Sequence, residues 1–463
     1  MEKHNFNIKY ITALSAVSAL GGLLFGYDWV VIGGAKPFYE QFFGIANQEA
    51  LQGWAMSSAL IGCLFGAMLS GLLSDKYGRK RLLIFSAFLF TLSAVGTGAT
   101  SVFSTFIIYR LLGGVGIGLA SNLSPMYIAE LAPSHLRGRL VSLNQLTIVV
   151  GILLAQIANW QIAEVIPDSF TNADILNSWN GQMGWRYMFW AETIPAGLFF
   201  LLMFFVPESP RWLAQSGSKA DVLLTLEKVG GKAYAQKEYA QIQKNLQTKA
   251  EKFSFSQLKN RKVRPVLVLG VVLAIFQQWC GINVIYNYAE EVFTAAGFSV
   301  SDMLFNIVIT GVINLVFTFI AIYTVDKFGR RKLMLVGSAG LSFIYILIGG
   351  AYYFQISGWI LMLFVLLAIS IYAMSLAPVT WVIISEIFPN KIRGAAMAIS
   401  TFSLWTACFI LTYTFPLLNS SLGTSGTFWM YGGICFAGWL FVYRKLPETK
   451  GKSLEELEQQ LTK

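Results

Sequence analysis

Histidine is almost absent and cysteine is sparse: the 463 residues include 2 His and 4 Cys. His4 and His135 stand apart, and Cys63, Cys280, Cys408 and Cys435 have no framework spacing, so neither disulfides nor a metal site are expected. No Walker-type phosphate loop occurs, which leaves ATP hydrolysis without residues to work with. Nor does any nucleophile have a positioned base, so no enzyme activity and no cofactor are expected. Charge is scarce as well, at 13% of residues against 55% hydrophobic ones, with a mean hydropathy of +0.59. That is too little polar surface for a soluble globule, and the chain belongs in a lipid bilayer.

What is plentiful is long apolar runs. Stretches of at least about 18 apolar residues can cross about 30 Å of hydrocarbon as a helix. They recur at 11–34, 51–74, 82–100, 103–129, 139–160, 184–206, 263–297 (expected to be broken), 303–325, 332–353, 357–386, 394–418 and 427–444. This predicts an all-α polytopic membrane protein of twelve spans. The first run is too long for a signal peptide, lacks a small-residue cleavage site, and reads as mature.

The net charge of +10 raises nucleic acid as a partner until the basic residues are placed. Lys76, Arg79, Lys80 and Arg81 follow the second span, Arg137 and Arg139 the fourth, Lys327, Arg330, Arg331 and Lys332 the eighth, and Lys391 and Arg393 the tenth. Lys36 and Arg186 are the exceptions on the other side. One face is therefore basic, which predicts both termini in the cytoplasm, a bilayer as partner and no nucleic acid. The polar stretch 207–262, with helix-prone segments at 218–230 and 233–250, separates an N-terminal six-helix bundle at 1–206 from a C-terminal one at 263–446, with a tail at 447–463.

An internal repeat supports the same division. Asp75-Lys76-Tyr77-Gly78-Arg79 after span two returns as Asp326-Lys327-Phe328-Gly329-Arg330 after span eight. Glu130 and Arg137 around Pro133 return as Glu386 and Arg393 around Pro389, and Pro207-Glu208-Ser209 returns as Pro447-Glu448-Thr449. Two related bundles imply a central site exposed alternately to each side. The repeated charges either anchor helix ends in headgroups or form a latch. In the latch, Asp75, Glu130, Glu208, Asp326 and Glu386 would pair with Arg79, Arg137, Arg330 and Arg393 across the cytoplasmic seam.

These loops, with Tyr109-Arg110-Leu111-Leu112-Gly113-Gly114, Pro125 to Glu130, Pro207-Glu208-Ser209-Pro210-Arg211, and Gln277-Gln278 with Gly281-Ile282-Asn283, resemble the sugar porters of the major facilitator superfamily over nearly the whole chain. Within that family the likeness is nearer to the bacterial xylose–proton symporters than to the facilitative glucose transporters. The resemblance implies monosaccharide transport by alternating access, with the middle segment as a small intracellular helical domain, in a monomer of the bacterial inner membrane.

Three ionisable residues lie inside spans, each costing about 2.5–3.5 kcal/mol on insertion scales. Asp28, Arg110 and Glu192 share a depth below the outer mouth. They read as a static ion cluster or as a proton relay, in which a guanidinium and desolvation pull a carboxyl in opposite directions. The resemblance implies the relay, because its symporters carry the matching Asp and Arg in that role, whereas the uniporters have no acid at the Asp28 position.

A sugar wants amides and an aromatic surface. Gln156, Gln277, Gln278, Asn283, Asn314, Trp381 and Trp405 are the candidates, against interhelical bonding and plain packing as the alternatives. On a straight helix Asn283 would point about 240° away from Gln277, so a break at Gly281 is expected, and Pro378 is expected to kink span ten. The chain departs from the family at Asn287, Leu404, Cys408 and Ala377. A passive uniporter and a membrane sugar sensor remain as other readings.

Overall fold

The computed structural model describes residues 6–167, 169–216, 218–248, 261, 263–356, 358–389, 392–450 and 456. Among them there is no strand, and the helices satisfy their backbone N–H and C=O groups internally, one of the two ways hydrocarbon allows. The first five spans are Ile8–Phe42, Glu49–Tyr77, Arg79–Ala99, Phe103–Leu131 and Ser134–Ile162. The sixth runs Asn180–Phe205, opening on a π-helical turn at Asn180–Gly184 and interrupted at Glu192.

After the sixth span come a short helix, Pro210–Ser216, and a longer one, Lys219–Thr248, broken at Gly230 and Gly231. Spans eight and nine are Val300–Phe328 and Arg330–Tyr353. The final helical stretch, Arg393–Lys445, has 53 residues, about 80 Å of helix at about 1.5 Å per residue. That is two crossings, separated at Gly423, whose φ of +69° interrupts it. The protein is an all-α polytopic membrane protein of twelve spans.

Two interruptions position the site. Gly281 adopts φ +86°, a left-handed conformation that costs a residue with a Cβ, and splits the seventh span into Arg264–Trp279 and Ile282–Asn287. The short helix Ala289–Ala295 follows. In span ten Pro378 has no N–H for the carbonyl four residues earlier, and the helix breaks at Ser375, between Trp359–Met374 and Leu376–Ile387. The turns at Gly78 and Gly329, with φ +91° and +87°, match each other as the repeat predicts.

Spans one, two, four and five pack together in the first half; in the second, span seven packs against eleven and twelve, and span nine against twelve. The halves meet where span two faces span eleven, span five faces span eight, and the outer end of span one faces the helices Ile282–Asn287 and Ala289–Ala295. The first span outruns its expected end at 34. Lys36 and Glu40 continue the helix as an i,i+4 pair and are buried by the second bundle, a long-range contact that hydropathy does not register.

Candidate functional site

Two clusters of buried polar groups stand out, one in each bundle. In the first, Asp28 of span one and Arg110 of span four form an ion pair between Oδ1 and Nη1, with both residues only 2% exposed. Arg110 also lies over the Phe189 ring, 5.7 Å from its centroid. Glu192, likewise 2% exposed, sits at the interruption of span six, close enough to Asp28 to hydrogen-bond with it when one of the two is protonated. The shared depth expected of these three is therefore a shared contact. A buried pair of this kind stabilises only with good geometry, and losing one partner leaves a charge stranded.

The second cluster depends on the Gly281 break. Gln277 Nε2 donates to Tyr372 Oη at 3.0 Å, and Gln278 Nε2 donates to Gln277 Oε1 at 2.7 Å. Asn283 Nδ2 donates to Gln278 Oε1 and lies 3.6 Å from Cys408 Sγ. The rotation that would separate these amides on a straight helix is undone by the left-handed glycine. Gln156 reaches from span five to Thr310 Oγ1 at 3.5 Å and keeps a buried Oε1 without a donor. Asn314 is buried one turn beyond Thr310. Trp405 is buried against Phe25 and Trp29, with centroids 5.9 and 6.0 Å away, which puts an aromatic wall across the two halves. Trp381 is 38% exposed and takes part in none of these contacts.

Sequence reasoning missed a third cluster, nearer the outside. Lys36 Nζ reaches Glu40 Oε2 at 3.2 Å, Glu290 Oε2 at 2.9 Å and Glu291 Oε1 at 2.8 Å. Gln52 Nε2 donates to Glu40 Oε2 at 3.0 Å. Lys36 and Glu40 come from the first bundle, and Glu290 and Glu291 from the second. The signal was there: one of only two cations, with Arg186, on a face whose other charges are acids, and two adjacent acids just past a helix break. Nearby, the Ile166 N–H donates to Ser301 Oγ at 2.9 Å, and the Tyr288 hydroxyl donates to the Thr412 carbonyl at 2.6 Å.

On the basic face, which the sequence reads as cytoplasmic, the repeated charges pair inside their own bundles, where pairing across the seam was expected. Arg79 Nη2 meets Glu130 Oε1 at 3.1 Å and Asp75 Oδ1 at 3.1 Å. Arg330 Nη2 meets Glu386 Oε1 at 3.4 Å. The glycine turns are responsible, since they set each arginine at the head of a span packed against the one that ends in the acid. Glu208 accepts from the Arg79 and Lys80 N–H groups at 3.0 Å, and Glu448 accepts from those of Arg330 and Arg331 at 3.0 and 3.2 Å. Arg393 donates to the Phe388 carbonyl at 3.1 Å, while Arg137 is exposed, within electrostatic reach of Tyr234. The side chain of Asp326 lies outside the described residues.

Comparisons with known proteins agree with this geometry. The family model described as "Sugar (and other) transporter" matches residues 14–461. The D-xylose-proton symporter of Escherichia coli (strain K12) is 41% identical, over 98% of this chain and 96% of that protein. The arabinose-proton symporter of Bacillus subtilis (strain 168) is 39% identical, over 97% and 94%. Among solved structures, the inward open conformation of the xylose transporter XylE from E. coli superposes with a TM-score of 0.84 at 41% identity, covering 98% of this chain and 100% of that one. The same transporter bound to 6-bromo-6-deoxy-D-glucose gives a TM-score of 0.77 at 40% identity, covering 98% and 100%.

Proposed function

The chain belongs to the sugar transporter family, and on that premise we propose that it is a proton-coupled symporter importing a monosaccharide by alternating access. The substrate is a pentose such as D-xylose or a hexose such as glucose. The protein works as a monomer in the bacterial inner membrane, with both termini in the cytoplasm. The bundles at 1–206 and 263–446 rock about the site, and 207–262 forms the intracellular domain.

The observation that carries this reading is the buried Asp28–Arg110 pair with Glu192 beside it. When Asp28 takes a proton its charge is lost, the attraction to Arg110 weakens and the span-one-to-span-four contact loosens. Deprotonation restores the pair, so the proton's arrival and departure each bias the bundle. Gln156, Gln277, Gln278, Asn283 and Asn314 supply donors and acceptors for sugar hydroxyls, and Trp405 supplies an apolar face. Trp381 joins that wall when span ten moves at Ser375. The charges on the cytoplasmic face exchange their partners within each bundle for partners across the seam when the inside closes.

One positive charge descending 100 mV releases about 2.3 kcal/mol, enough for about forty-fold accumulation at roughly 1.4 kcal/mol per factor of ten. In proteoliposomes holding a proton gradient, Asp28→Asn is expected to abolish uphill D-xylose uptake and to leave counterflow exchange in place. Undiminished accumulation by that variant would overturn the assignment.

A further inference from the structure

A small cavity lies where the proton cluster meets the second bundle. Its volume is about 10 Å³, the size at which a single water molecule just fits. Most of its wall is apolar, formed by residues such as Met56, Leu60 and Ile117, but Asp28, Arg110 and Asn287 also line it. Each of these three is at least nine-tenths buried, and each holds one polar atom without a hydrogen-bond partner while the carboxylates are ionised: Asp28 Oδ2, Arg110 Nε and Asn287 Oδ1; a protonated Glu192 is the competitor for Asp28. Orphaned atoms of this kind cost about 1–3 kcal/mol each when left unmade.

The three orphans are complementary to one water. It has two hydrogens for two acceptors, Asp28 Oδ2 and Asn287 Oδ1, and a lone pair for one donor, the Arg110 Nε–H. We infer that Asn287 is a positioning residue for the proton site, sharing with Asp28 and Arg110 one ordered water that joins the two bundles. The inference rests on the reading of Asp28 as the proton carrier. It also accounts for a place where this chain departs from its family, since the position that usually carries a tyrosine holds an amide here.

Its consequence is a route between the two ligands. Asn287 and Asn283 lie one turn apart on the helix Ile282–Asn287, which is detached from the preceding helix by Gly281. Asn283 belongs to the amide cluster, so a shift of this short helix on sugar binding moves Asn287 and with it the water against Asp28. The other groups facing Asp28 are Arg110 from span four, Glu192 from span six and Cys63 from span two, with Tyr27 beside Glu192 and Cys408 beside Cys63. From the second bundle, Asn287 is the polar residue that lines the cavity.

The test compares Asn287→Val with Asn287→Thr, which are matched in shape and differ by one hydroxyl. D-xylose counterflow across a pH series and proton-driven D-xylose accumulation would be measured in proteoliposomes. With the valine variant the pH midpoint of counterflow is expected to move upward by about one unit, a roughly tenfold change in proton affinity, with accumulation falling and exchange at low pH kept. The threonine variant is expected to stay near wild type. A wild-type midpoint in Asn287→Val, or equal defects in both variants, would overturn the proposal. A wild-type structure that resolves waters must also place one within hydrogen-bonding distance of all three orphan atoms, and a cavity without it overturns the proposal even if neither variant folds. Uphill uptake by Asp28→Asn would instead remove the proton reading itself, so the two failures are told apart.

Discussion

The outer and cytoplasmic seams carry charges of similar kinds but use them oppositely. Outside, Lys36 of the first bundle is held by Glu290 and Glu291 of the second, with Glu40 and Gln52 behind it. Inside, Arg79 holds Glu130 and Asp75 while Arg330 holds Glu386, each pair closing within its own half. Ion pairs that cross a seam hold it shut, whereas pairs that stay within a bundle stiffen that bundle. The difference describes a protein closed to the outside, in keeping with its superposition on an inward open relative.

Breaking the outer cluster is expected to have the largest effect. Lys36→Met leaves three carboxylates crowded at a closed seam, and removing one member of a buried charge group costs about 3–5 kcal/mol. Spin labels on Gln48 and Ser421, on opposite halves of the outer mouth, should then show a new, longer distance, and an unchanged distribution would refute a latch at this place. A smaller effect follows from Gly53, where an added Cβ would lie 2.3 Å from the Tyr413 carbonyl oxygen of the other bundle. Gly53→Leu is expected to disfavour outer closure by about 1–3 kcal/mol, typical of overpacking. Uptake should slow while binding of sugar from the outside persists. The smallest effect belongs to the cytoplasmic side, where Glu386→Gln removes a partly exposed pair at 3.4 Å and is expected to change thermal stability by under about 1 kcal/mol. A large shift in the inward–outward balance from that variant would mean that the two seams are more alike than they look.

Much of this could be read from the sequence, for identifiable reasons. Spans are legible because hydrocarbon thickness dictates run length, and the breaks near Gly281 and Pro378 are legible because one residue admits a left-handed turn and the other removes a helical hydrogen bond. The gathering of Gln277, Gln278 and Asn283 follows from the first of those breaks. Partners are another matter. Asp28, Arg110 and Glu192 stood out one by one as charges in lipid, so their meeting could be anticipated. Lys36 and Glu40 looked like the end of a span, because the acids that bury them arrive some 250 residues later. The repeated arginines were recognisable as charges in matched loops, yet nothing in a repeat says whether its acids face inward or across. Trp381 and Arg137 show the same limit, being the right residue types but standing apart from the amide cluster and from the repeated acids in this conformation.

Glu208 and Glu448 carry a further consequence. Each comes from the end of a half and accepts two backbone N–H groups at the start of that half's third helix, stitching the last span to an early one. A half tied in this way behaves as a stiff lever. Little motion is then absorbed along its length, so an ångström-scale adjustment near the middle of the membrane is delivered, magnified, at the mouth.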